Sequence, residues 1–132
     1  KLEFMLISRY FLTPTVMVKG NVPYRFPNEF RYSEDRFLWL EIIARKNKAF
    51  YLDIPLAYLY KAPYGQGGLT QNLYNTEKGE LAGFIKLYNL KLLNRTEFLL
   101  SCVLSLIKYI RRKCIVLFRK IFGKVRGCNS KK

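Results

Sequence analysis

After Glu97 this chain contains no acidic residue, while the same stretch carries Lys108, Arg111, Arg112, Lys113, Arg119, Lys120, Lys124, Arg126, Lys131 and Lys132. Over the whole chain 24 Lys and Arg stand against 9 Asp and Glu, a formal net charge of +15, but the first two-thirds is much closer to balance. The end of the chain is therefore an electrostatic arm, and its expected partner is anionic: phospholipid, a phosphorylated lipid or nucleic acid.

Helical spacing sorts the arm further. The apolar run Phe98–Ile107 (FLLSCVLSLI) falls short of the about 20 residues that a bilayer-spanning helix needs. Ser101, Ser105, Lys108, Arg112 and Arg119 line up on one stripe, and Leu99, Val103, Ile107, Ile110, Leu117 and Ile121 lie largely opposite. An apolar face flanked by Lys and Arg is the pattern of a helix lying in a membrane interface. Lys108, Arg111, Arg112, Lys113, Arg119 and Lys120 are the expected membrane-binding residues, each adding about 1 kcal/mol near an anionic leaflet. The competing readings are a helix packed on the rest of the protein and a solvated charged face. Nucleic acid is not an expected partner, because the bases alternate with aliphatics rather than exposed aromatics and no nucleic-acid motif is present.

Half of the 132 residues are hydrophobic, with ten Tyr and ten Phe, which suits a folded chain rather than a disordered one. There is no His, which excludes His-based triads and most transition-metal sites. Cys102, Cys114 and Cys128 are far apart and odd in number, so reduced thiols in a cytosolic setting are expected. The chain opens at Lys1 without Met, and upstream sequence is expected.

Along the chain, β-branched residues predict a buried strand near Thr15–Val18, followed by a Pro-punctuated loop at Gly20–Phe30. Ser33 reads as an N-cap, with Glu34 and Asp35 in the first turn of an apolar helix running to about Lys46. Ala49–Leu52 and Leu56–Tyr60 read as short strands broken by Asp53 and Pro55. Lys61–Gly68 is a glycine-rich loop, read as a connector or as an acceptor lid carrying Tyr64 and Gln66. Thr70 to about Leu92 predicts a helix despite Gly79 and Gly83, and a last helix starts at Asn94 or Thr96 and runs to about Phe122. The expected class is α/β with appended helices.

Arg31–Leu40, RYSEDRFLWL, carries the candidate chemistry. A carboxylate can act as general base on a hydroxyl within hydrogen-bond reach, and a helix N-terminus favours negative charge there. Acids in a first turn also simply stabilise helices, and spacing alone favours that role over catalysis.

RYSEDRFLWLEI resembles the Glu-Asp motif of the family 2 glycosyltransferases of the GT-A fold. In order along the chain, TPTVMVK resembles that family's preceding strand, Tyr24–Phe30 its loop, Trp39-Leu40 the Trp-Leu after the acidic pair, and YLDIPLAYLY its Pro-containing hairpin. GQGGLTQNLYNTEKGEL and LIKYIRRK look like the tail of bacterial members that build surface polysaccharides such as lipopolysaccharide or capsule. The resemblance implies the C-terminal part of a GT-A fold: residues 1–69 as the acceptor side of the catalytic domain, 70–93 as a helix packed on it, and 94–132 as a basic amphipathic membrane-associating helix and tail. It implies sugar transfer from a nucleotide-diphosphate donor to an acceptor hydroxyl with inversion. Asp35 is then the catalytic base, and Glu34 orients it or touches the acceptor. Trp39, Tyr64 and Gln66 are acceptor-binding candidates, although the place of Trp39 in an apolar helix also suits packing.

The sequence lacks the Asp-x-Asp motif with which such enzymes hold a divalent cation on the donor diphosphate. Mg²⁺ or Mn²⁺ is thus expected in a complete enzyme, but no metal site or cofactor in this chain, which alone should be inactive. The expected partners are a nucleotide-sugar donor bound by the missing half, a saccharide or lipid-linked acceptor, and an anionic membrane. The expected location is cytoplasmic, peripheral on the inner face of the plasma membrane. The alternative is a non-catalytic basic module binding anionic membrane or nucleic acid.

Overall fold

The computed structural model describes residues 11–55, 57, 58, 60 and 72–128, with side chains as far as Ile121. It contains a 3₁₀ turn at Thr13–Thr15 and three α-helices: α1 (Glu34–Ala44), α2 (Leu73–Asn89) and α3 (Arg95–Cys128). No β-strand forms among the described residues, which overturns the expected α/β, GT-A-type class. The apolar segments read as strands, of which Leu56–Tyr60 lies partly outside the described residues, show why. Pro14 and the Thr15 N–H to Leu12 carbonyl bond turn Thr13–Thr15 into 3₁₀ helix, and Met17 beyond it is 86% exposed. Phe50, Leu52, Ile54 and Tyr58 are likewise exposed. β-branched and aromatic residues favour a strand only where a neighbouring strand takes up backbone groups and side chains, and the described residues provide none.

Sequence-local signals fix the helix ends. Asn72 caps α2, its side chain accepting from the Asn75 N–H at 3.0 Å. α1 and α2 both end with a lysine in left-handed backbone, Lys46 (φ 62) and Lys91 (φ 57). In α2 the Lys91 N–H bonds the Tyr88 carbonyl and the Leu92 N–H bonds the Leu87 carbonyl, a Schellman stop made without glycine. Asn94 then opens α3, and the Glu97 carboxylate reaches back to the Asn94 N–H at 2.7 Å, half of a capping box. Leu93 and Phe98 flank this cap, Leu93 in the core cluster and Phe98 packed against it, the arrangement of a hydrophobic staple.

α2 and α3 form an antiparallel hairpin. Tyr88 stacks on Phe98 at 4.9 Å near the turn, and farther out Glu80 meets Ser105 and Glu77 meets Arg112. α1 packs on α2. Phe37 and Leu40 of α1, Phe84 and Leu87 of α2, and Leu93 of the turn make the core. Burying each contributes about 1.5–3 kcal/mol. The four consecutive residues Phe37–Leu40 are all buried, so α1 is covered on more than one side: by α2, and by the preceding loop, whose Phe26 meets Trp39 edge-on at 5.7 Å.

The packing depends on Gly79. A Cβ there would sit 2.3 Å from the Tyr32 carbonyl oxygen, so only glycine lets the loop before α1 lie directly on α2. The Ser33 hydroxyl adds a 3.1 Å bond to the Thr76 carbonyl. Ser33 thus precedes α1 as expected, but its side chain ties the loop to α2 instead of capping α1.

Candidate functional site

Asp35 lies in the first turn of α1 with its side chain half-buried. Both carboxylate oxygens are held: the Thr13 hydroxyl donates to Oδ2, and the Arg36 N–H donates to Oδ1 at 2.7 Å. Two donors at fixed positions orient the carboxylate, and each oxygen retains a lone pair for a further donor. Glu34 stands beside it, also half-buried. Composition did not single out Thr13, which read as the start of a strand; the 3₁₀ turn is what brings its hydroxyl to Asp35.

Trp39 is 8% exposed, and among the described residues its indole N–H has no hydrogen-bond partner. With Phe26 against it, the ring packs inside the fold, the packing role that its place in an apolar helix suits. Tyr64 and Gln66 fall outside the described residues, as does the glycine loop that carries them. The recess between α1 and α2, lined by residues including Ser33, Arg36, Phe37, Gly79 and Glu80, has no room for a water molecule and does not open a ligand site there.

The basic residues of α3 divide. Arg111, Lys113, Arg119 and Lys120 are exposed, Lys108 is half-buried, and Arg112 is 2% exposed. Arg112 therefore leaves the expected membrane-facing set. Its guanidinium lies 3.4 Å from carboxylate oxygens of both Glu77 and Glu80, and the Ser105 hydroxyl donates to Glu80 at 2.7 Å. Glu77 and Glu80 are one turn apart on the buried stripe of α2, with Phe84 and Leu87 farther along it. Two acids on an otherwise apolar stripe were the available signal for this cluster, but nothing in the sequence paired them with a base beyond position 97. Desolvation, and then the charge of Glu77, push the nearby Cys102 thiol above its usual pKa.

No group of three or more Cys, Asp or Glu residues placed to hold a metal occurs among the described residues. No helix among them is long and apolar enough to cross a membrane. Comparison with family models, with curated proteins and with solved structures finds no match to this chain.

Proposed function

We propose that this chain contributes the acceptor side of an inverting sugar transferase that uses a nucleotide-diphosphate donor, with Asp35 as general base. The observation that supports it most is the fixed carboxylate: Asp35 opens a helix whose next turns are locked in the core, and Thr13 and the Arg36 N–H hold its two oxygens. A general base needs such placement before anything else. In the reaction Asp35 takes the proton of an acceptor hydroxyl while that oxygen attacks the anomeric carbon. The bond from that carbon to the donor diphosphate breaks, and the nucleoside diphosphate leaves from the opposite face. Glu34 contacts the acceptor or steadies Asp35. The donor and a divalent cation, Mg²⁺ or Mn²⁺, would be held by a donor-binding half that this chain does not supply. In this reading the enzyme works at the inner face of the plasma membrane, on a saccharide or lipid-linked acceptor, in surface polysaccharide synthesis.

The test is turnover in the full enzyme that carries this segment, read as nucleoside diphosphate released from a panel of sugar nucleotides. Asp35→Asn is expected to lower turnover at least about a hundredfold with the fold intact, and Glu34→Gln to cost less. Turnover in Asp35→Asn close to that of the unmodified enzyme would remove the assignment.

A further inference from the structure

α3 is built inside out. Its most deeply buried residues are polar, Ser101, Ser105 and Arg112, each 2% exposed, while near the turn Phe98 and Cys102 pack partly buried against the core. Leu104, Ile115 and Val116 are half-buried, but most of its aliphatic residues point the other way. Leu99, Val103, Ile107, Ile110, Leu117 and Ile121 are each more than half exposed. At 100° per residue they share one outward face, with Leu106 and Cys114 on the same side. In a helix stabilised only by packing on its own domain the two faces would be exchanged, because apolar burial is the main source of stability. Here the packed face is satisfied by hydrogen bonds and an ion pair: Ser101 donates to the Glu97 carbonyl at 2.6 Å, Ser105 to Glu80, and Arg112 meets Glu77 and Glu80. The apolar face is left for another environment.

The charges beside that face identify the environment. Lys113 and Lys120, seven residues apart, border it on one side, and Arg111 borders it on the other; all three are exposed. No acid follows Glu97. A second copy of this chain would bring the same cations against these, and its own α3 would supply no carboxylate beyond Glu97 in the first turn. A sheet of lipid phosphates meets them with opposite charge and accepts the aliphatic side chains beneath. We propose that the outward face of α3 docks in the plane of an anionic bilayer, with Ile107, Ile110, Leu117 and Ile121 in the acyl boundary and Arg111, Lys113 and Lys120 at headgroup level. Arg112 takes no part, being held by Glu77 and Glu80. This inference stands on the α3 geometry alone and is independent of the sugar-transfer reading.

The experiment is co-sedimentation of the chain with vesicles of pure phosphatidylcholine and of phosphatidylcholine with phosphatidylglycerol. Binding is expected to the second and not the first, and to weaken as salt rises. The pair Ile110→Asp with Leu117→Asp should lower the partition constant about tenfold or more. The circular dichroism should stay unchanged, because both side chains are exposed in the fold. Replacing Arg111, Lys113 and Lys120 together by Gln should lower it comparably. Bound vesicles should also shield Cys114, exposed on the same face, from a water-soluble maleimide. The proposal is overturned if the chain ignores anionic vesicles at low salt, or if the Asp variants bind as the parent does. It is equally overturned if light scattering shows a dimer that these variants dissolve, which would give the face to a second copy, or if the chain prefers RNA to vesicles at equal salt.

Discussion

Gly79 and Gly83 lie four residues apart on one helix and are under opposite constraints. At Gly79 a methyl group would press 2.3 Å from the Tyr32 carbonyl oxygen, a backbone atom that cannot swing aside. Gly79→Ala should therefore destabilise the fold by about 1–3 kcal/mol, the usual cost of overpacking. At Gly83 the nearest atom, Phe37 Cβ, is 3.6 Å away, ordinary contact. Gly83→Ala should then be neutral, or stabilising by up to about 1 kcal/mol through helix propensity. Urea unfolding of the two variants checks both, and equal effects would refute the close approach of Tyr32 to α2. The sequence made both glycines look like arguments against a helix. That α2 forms regardless reflects Asn72, Lys91 and the buried stripe from Glu77 to Leu87, which outweigh two weak positions. At this scale the start of α1 was legible from Ser33, Glu34 and Asp35, whereas a base role for Asp35 came only from the family resemblance. The groups that hold it were not, because the Thr13 hydroxyl reaches it from 22 residues away through a turn that the β-branched composition concealed.

Among elements, the three helices could be read from periodicity and caps, and the strands could not. A helix satisfies its own backbone, whereas an extended segment becomes a strand only beside another, so Thr15–Val18 and Ala49–Leu52 kept their strand-like composition without the pairing. The sixfold stripe of α3 was legible too, but not which side would face inward. Its polar side turned inward because Glu77 and Glu80 were waiting there. Arg112 is thus the residue on which the α2–α3 contact most depends. Arg112→Met removes the cation between two buried carboxylates and should cost about 3–5 kcal/mol, as for other broken buried ion pairs. Adding Glu77→Gln and Glu80→Gln to that variant should recover a large part of the loss, as thermal melts of the single and triple variants would show. If Arg112→Met costs under about 1 kcal/mol, the ion pair is not formed in solution.

For the molecule as a whole, what matters is the unequal spacing of its helices along the chain. α2 and α3 are joined by the tight turn at Leu90–Asn94, while residues 45–72 separate α1 from the helix it packs on. Closing a long loop costs more chain entropy than closing a short one. The hairpin should therefore assemble early in folding, with Glu77, Glu80 and Arg112 brought together before α1 arrives. Stopped-flow chevrons can show this order. Leu93→Ala, at the hairpin turn, should slow folding, with a φ-value above about 0.5, whereas Leu40→Ala in α1 should chiefly speed unfolding, with a φ-value below about 0.3. The reverse pattern would place α1 in the nucleus. If α1 docks last it also detaches first, so the helix that carries Asp35 is the one whose amides exchange with solvent through the cheapest opening of the native state.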